Sequence, residues 1–240
     1  MPIALDAQES DRFGVVCARV IDPLAPLDQI DAAAREQAVD MLSLRLETHH
    51  ITRVAALEDS GFRLMDTLVY YDTALASDLN LPSQPDGETI RFAVPDDAEA
   101  IGAVAQAAFS GFFGHFHADD RLQKSDATAV YVDWTRHLVR NLDAEHPVLV
   151  SERAGRPVGF LTLRRNSPEE LEIVLNAVHP DDQGTGIYGS LIDAALRHAI
   201  EVGAARMIVS TQINNIAVQR AWGKRGFRML RSLYTFHKWL

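Results

Sequence analysis

The run Leu171–Gly189, LEIVLNAVHPDDQGTGIYG, restricts the fold more than any other stretch of the chain. An apolar strand ends at Val178, where His179-Pro180 stops it, because proline cannot donate to a sheet ladder. The turn from Asp181 to Thr185 then feeds a helix. Its apolar residues recur every four positions, at Ile187, Leu191 and Ala195 and at Ile192, Leu196 and Ile200. Gly184, Gly186 and Gly189 remove side chains where the backbone turns. Such a junction presents main-chain N–H groups at a helix N-terminus, a setting that holds a diphosphate. The same residues also make an ordinary strand–turn–helix. No Gly-Lys-Ser/Thr follows and the GxGxxG spacing is missing, so neither a P-loop nor a dinucleotide fingerprint is present.

Around this run, strands and helices mix along the whole chain. Phe13–Ile21 reads as a strand, Pro26–Met41 as a helix, and Leu42–Leu46 as a half-buried strand alternating Leu42, Leu44 and Leu46 with Ser43 and Arg45. Ile51–Asp59 is a short helix and Leu64–Tyr71 a strand. Ser77–Glu88, SDLNLPSQPDGE, has no periodicity and reads as a linker. Beyond it come a strand at Thr89–Val94, a helix from Pro95 to about Phe109, and a helix carrying Tyr131, Trp134, Leu138 and Val139. Val148–Glu152 and Pro157–Arg164 make a hairpin, Arg206–Ser210 a strand, Ile216–Arg225 a helix and Arg228–Trp239 the last strand. The fold class is α/β or α+β. We expect a small α/β domain over residues 1–84 and a second domain over residues 85–240.

At 240 residues with 47% hydrophobic content, the chain can bury a sizeable core. Its 23 Lys and Arg against 33 Asp and Glu leave a formal charge of −10, which argues against a sequence-blind nucleic-acid binder. A local basic pocket for one phosphorylated ligand stays open. A single cysteine, Cys17, excludes an internal disulfide and a multi-cysteine metal cage. No apolar run approaches the ~20 residues of a membrane helix, and Met1–Ser10 lacks the pattern of a leader, so a cytoplasmic protein without membrane attachment is expected.

The glycine turn resembles the coenzyme A signature of the GNAT acetyltransferase superfamily, Gln/Arg-x-x-Gly-x-Gly/Ala, with Gln183 and Gly186 in place and Tyr188 at the last position. A second resemblance lies further on. Asn215, Lys224, Gly226 and Phe227 match the family's Asn-x-x-Ala-x-x-Leu-Tyr-x-Lys-x-Gly-Phe segment, with Val218 and Ala221 as replacements. Asn215 is placed to cap the following helix and Gly226 to close it. Together the matches imply a GNAT fold with a mixed central sheet over residues 89–240, and acetyl-CoA as co-substrate. They also imply a coenzyme site at Ala177, Val178, Gln183, Gly184, Thr185, Gly186, Ile187, Tyr188, Gly189, Asn215 and Trp222. Trp222 stands where many members carry a tyrosine that protonates the departing thiolate. An indole N–H is too weak an acid for that, so Trp222 is expected to wall the pantetheine arm.

Acetyl transfer to an amine requires the amine's lone pair, and a nearby carboxylate can remove its proton. Glu172 is the candidate base, on a strand resembling the one that carries the catalytic Glu of histone-acetylating members. The alternative is a solvated strand end beside Glu169 and Glu170. Strict alternation would set Glu172, Val174, Asn176 and Val178 on one face. Tyr234 and His237 on the last strand are fallback acids or bases, or else core or surface residues. The stretch Ser110–Asp126, SGFFGHFHADDRLQKSD, sits where the family places its acceptor loop. Phe113, His115, His117 and Arg121, with Asn176, are candidate acceptor contacts, and packing beneath the next helix is the competing reading. The paired histidines lack a third ligand, so no metal is expected. Cys17 lies far in sequence from the glycine turn, which argues against an acetyl-cysteine relay.

The whole-chain layout is similar to the family's sugar-nucleotide N-acetyltransferases. That resemblance implies a small-molecule acceptor, the amine of a TDP-4-amino-4,6-dideoxyhexose, and leaves room for a homodimer. Acetylation of an antibiotic, a polyamine or a protein, or a degenerate acetyl-CoA-binding module, are the alternatives.

Overall fold

The described residues, 1–76, 81–82 and 87–240 of a computed structural model, build ten strands and eight helices. The first part holds β1 (Ile3–Leu5), α1 (Ala7–Phe13), β2 (Cys17–Val20), α2 (Leu27–Glu36), β3 (Met41–Glu47), α3 (Ile51–Asp59) and β4 (Arg63–Ala74). There follow β5 (Thr89–Phe92), α4 (Ala98–Phe109), α5 (His115–Ala118), α6 (Lys124–Arg140), β6 (Val148–Arg153) and β7 (Arg156–Ser167). The last part holds β8 (Glu170–Val178), α7 (Ile187–Glu201), β9 (Arg206–Gln212), α8 (Ile216–Gly223) and β10 (Arg228–Trp239).

All ten strands join one mixed sheet in the order β1-β2-β3-β10-β4-β9-β8-β7-β6-β5. Only β2–β3 and β8–β9 run parallel. The long strand β4, from before the expected linker, lies between β10 and β9 and pairs with both. Residues 1–76 therefore share their sheet with residues 87–240. The expected linker Ser77–Glu88, and the boundary placed at residues 84–85, fall mostly outside the described residues.

Alternation along β3 shows how the sheet divides its two faces. Leu42, Leu44 and Leu46 are buried against α2 and α3 with Phe236, each contributing about 1.5–3 kcal/mol, whereas Ser43 and Arg45 point to the opposite side. On the first face, further along, α7 and α8 cover Leu171, Ile173 and Val209. On the second face, α4 and α6 cover Phe160, Leu175 and Ala177, and Phe13 of α1 and Phe116 of α5 pack with them.

The expected strand from Phe13 starts late. Asp6 accepts from the Glu9 N–H at 3.2 Å and Gly14 takes a left-handed conformation, so residues 7–13 form a helix and β2 begins only at Cys17. Among the described residues no helix is long and apolar enough to cross a membrane.

Candidate active site

The pairing of β8 with β9 covers only Glu170–Ile173 against Arg206–Val209. Beyond it the two strands diverge, because β9 stays with β4 up to Leu68↔Gln212 while β8 stays with β7 up to Gly159↔Val178. The wedge between them opens a cleft of about 1320 Å³. The end of β8, the glycine turn and α8 line one end of it, and Arg45, His115, Tyr131 and Thr235 line the other.

At the first end, Gly184 (φ +75°) and Gly186 (φ +95°) take conformations that L side chains rarely adopt, with open space around both. No side chain caps α7 at Gly186. Its first amides, on Ile187, Tyr188 and Gly189, precede the first intrahelical bond, which runs from the Ser190 N–H to the Gly186 carbonyl. This cradle, with the cleft-lining Arg220 and Lys224, fits a diphosphate. Neither cation has an ion-pair partner among the described residues.

The neighbouring side chains are tied to the protein itself. Gln183 donates to the Val178 carbonyl at 3.1 Å, and Thr185 Oγ1 donates to the Asp182 carbonyl at 2.6 Å. Asn215 occupies the start of α8 without capping it, since its amide reaches back to Thr211 Oγ1 at 3.1 Å. Gly189 is helical and serves another purpose, because a Cβ there would collide with the Arg225 guanidinium. That guanidinium makes a two-pronged pair with buried Asp193, at 2.6 and 3.0 Å. Trp222 is fully buried on Tyr71 and donates its indole N–H to Tyr188 Oη at 2.7 Å.

Strict alternation fails in β8. Thr162 pairs with Leu175 and Leu163 with Ile173, so Val174 is an extra residue, a bulge. Leu171 and Ile173 consequently face α7, whereas Leu175 and Ala177 face α4 and α6. Glu172 lies opposite its neighbours Leu171 and Ile173 and does not share a face with Asn176 and Val178. Its Oε2 accepts from Arg164 at 2.5 Å and Asn166 at 3.0 Å. The carboxylate lines the cleft but is clamped at the closed end of the wedge, where β8 and β9 are still paired.

Of the residues expected to meet an acceptor, His115 and Asn176 line the cleft, and Phe113, His117 and Arg121 do not. Phe113 is exposed. His117 is buried, with Nδ1 accepting from the Gly114 N–H and Nε2 within 3.2 Å of Thr128 Oγ1. Arg121 stacks over Trp239. Tyr234 packs toward α2 and α3, on the other side of the sheet from Thr235 and His237.

Three strands contribute a row that no single segment of sequence shows. Thr235 of β10 pairs with Arg45 of β3 on one side and Asp66 of β4 on the other. Thr235 Oγ1 and Asp66 Oδ1 are buried without a hydrogen-bond partner. Beside this row, His115 Nδ1 lies 2.9 Å from His237 Nε2, and His237 Nδ1 lies 2.8 Å from Asp119 Oδ2. Burial alone would raise Asp119, but hydrogen bonds from His237, Trp239 and the Arg121 N–H hold its carboxyl below the ordinary value. Burial, followed by the charges of His237, Arg45 and His117, holds His115 well below the ordinary histidine value. No group of three His, Cys, Asp or Glu that could hold a metal is found among the described residues.

Residues 113–227 match the model of the acetyltransferase (GNAT) family, and this span carries both the glycine turn and the wedge. This part of the chain is thus similar to GNAT acetyltransferases. Solved structures of GNAT proteins share its fold. A GCN5-related N-acetyltransferase from Sphaerobacter thermophilus superposes with a TM-score of 0.67 at 14% identity, over 99% of this chain and 76% of the other. A second, from Kribbella flavida, gives 0.66 at 16%, over 99% and 86%. Among curated relatives, the spore coat polysaccharide biosynthesis protein SpsD of Bacillus subtilis (strain 168) is 27% identical over 60% of this chain and 48% of its own length. A mycothiol acetyltransferase of Streptomyces bingchenggensis is 28% identical over 62% and 46%. The chain thus spans about half the length of these curated relatives.

Proposed function

We propose that this protein is an acetyl-CoA-dependent N-acetyltransferase whose acceptor is the amino group of a nucleotide-linked amino sugar, of the TDP-4-amino-4,6-dideoxyhexose type. One observation carries the reading: a single cleft joins the amide cradle of Gly184–Gly189 to a separate polar end across the β8–β9 wedge. Both substrates bind together there, and positioning them supplies much of the rate.

Acetyl-CoA supplies the acetyl group as a thioester. The first amides of α7 hold its diphosphate, aided by Arg220 and Lys224, and the unpaired edge of β8 from Val174 to Val178 runs beside the pantetheine arm. Tyr188 protonates the departing sulfur in place of the tyrosine missing at 222. Its Oη accepts from Trp222, which leaves its own proton free to give, and burial holds it above the ordinary tyrosine value, so it stays protonated. Cys17 lines the cleft, but burial and then the charges of Glu9, Asp6 and Asp40 push its thiol up to about 12. A thiol so rarely ionised makes a poor acyl carrier, which supports direct transfer.

Two features support the sugar nucleotide. Arg45 lines the acceptor end without an ion-pair partner among the described residues, a free cation for an acceptor phosphate. SpsD is named for polysaccharide biosynthesis. The second reading, a different small-molecule amine, is favoured by the mycothiol acetyltransferase relatives. Titration calorimetry with coenzyme A, then thiol release with TDP-amino sugars against other amines, tests the proposal. Turnover confined to amines without a nucleotide would remove the sugar assignment, and no binding of the coenzyme would remove the whole reading.

A further inference from the structure

We infer that Asp119, His237 and His115 form a proton relay in which His115 Nε2 is the base that deprotonates the acceptor amine, with Thr235 Oγ1 in the adjoining row engaging the acceptor. The inference rests on the acetyl-transfer reading above and identifies its base.

The hydrogen-bond chain dictates the tautomers. An ionised carboxylate only accepts, so Asp119 Oδ2 takes the proton of His237 Nδ1 at 2.8 Å. His237 Nε2 is then the accepting nitrogen, and it takes the Nδ1 proton of His115 at 2.9 Å. His115 is thereby left with a lone pair on Nε2, for which no partner exists among the described residues. His237 and Asp119 are almost fully buried, at 1% and 4% exposure, and His115 is the member that lines the cleft. His237 and Asp119 therefore act through His115 as positioning residues.

The surroundings fit the task. The groups facing this corner are Arg45 of β3, Asp66 of β4, Tyr131 of α6, Glu9 of α1 and His117 of α5 itself. Thr235, at 1% exposure and with an unpartnered hydroxyl, sits on the same face of the sheet as His237 and lines the same cleft. An amine or hydroxyl of the acceptor can satisfy it.

The protons balance. The acceptor ammonium loses one N–H proton to His115 Nε2, leaving a lone pair that forms the new N–C bond as the C–S bond breaks. Tyr188 gives its proton to the departing sulfur, and the nitrogen's second proton restores Tyr188. His115 returns its proton to solvent between turnovers. During the step, the positive charge on His115 is stabilised through His237 by the Asp119 carboxylate.

The test uses the full chain with H115A, H115Q and D119N. We expect H115A and H115Q to lower kcat by about 10²–10³-fold with coenzyme A affinity unchanged within about threefold, and added imidazole to restore part of the H115A rate. D119N should lower the plateau of kcat/KM and move its acidic limb to lower pH, because the imidazolium loses its anion. In the wild type, ¹⁵N NMR should show His115 protonated on Nδ1 and bare on Nε2 at pH 7, a readout independent of turnover. Folded H115A and H115Q enzymes within threefold of wild type, an unmoved limb in D119N, or the opposite tautomer of His115 would overturn the relay alone. Absence of coenzyme binding in the wild type would overturn the acetyl-transfer reading instead, and the relay with it.

Discussion

Trp222 donates its indole N–H to Tyr188 Oη at 2.7 Å, joining α8 to the first turn of α7. The two residues are among the places where the chain departs from the GNAT segments, and they are one structural unit. A cleft-lining tyrosine thus hydrogen-bonds residue 222, where the family's own tyrosine is absent. Y188F should lower kcat by about 10–100-fold with little change in coenzyme affinity. It should also lower stability by about 1–3 kcal/mol, since the buried indole N–H loses its acceptor. Single-turnover kinetics and denaturant unfolding read the two effects. An unchanged kcat would remove Tyr188 as the acid.

The cradle depends on backbone shape. At φ +95°, Gly186 cannot become alanine without strain of at least about 1–2 kcal/mol, and relief of that strain would turn the first amides of α7 away. G186A should weaken coenzyme A binding about tenfold or more by calorimetry. Wild-type affinity in this variant would show that the amides of this turn do not hold the diphosphate.

Arg225 and Asp193 tie α7 to the chain just beyond α8, next to Gly189. Asp193's side chain is 5% exposed, so R225A strands a buried charge and should cost about 3 kcal/mol. R225A/D193N should recover part of that loss. Urea unfolding of the three proteins measures it, and a double variant no more stable than R225A would argue against the stranded charge.

Glu172 separates two accounts of the base. Its partner Arg164 is 46% exposed, so solvent screens the pair and E172Q should change stability by only about 0–1 kcal/mol. Under the relay, E172Q lowers turnover less than H115A does and keeps the acidic limb in the kcat/KM profile. Loss of that limb in E172Q would return the base assignment to Glu172.

Acid should destabilise the fold through the same corner. His115 lies well below its ordinary 6.5, so between its folded value and 6.5 the unfolded chain binds a proton that the folded chain refuses. Stability therefore falls as pH drops below about 6.5. Asp119, depressed below 3.8, acts with the same sign at lower pH, where its contribution is lost as it protonates. Tm should fall from pH 7.5 to 5, and less steeply in H115Q. His117 and His198, also lowered by burial, keep a residual slope. Parallel slopes in wild type and H115Q would show that His115 is not held neutral.

The local pattern of residues 171–189 determined a strand, a glycine turn and an amphipathic helix, because each follows from periodicity and backbone freedom within one segment. The same holds for Leu42, Leu44 and Leu46, whose alternation already names their buried face. What only the tertiary structure decided arises where distant segments meet. The bulge at Val174 reverses which face Glu172 shares, and it is visible only in the register against β7. The insertion of β4 between β9 and β10 sets Asp66 beside Thr235, and α5 brings His115 onto His237, 122 positions away. Sheet pairing and hydrogen bonds across such separations leave no period in the sequence, so Asp66, Arg45, Thr235 and Asp119 carried no signal of their own until the chain had folded.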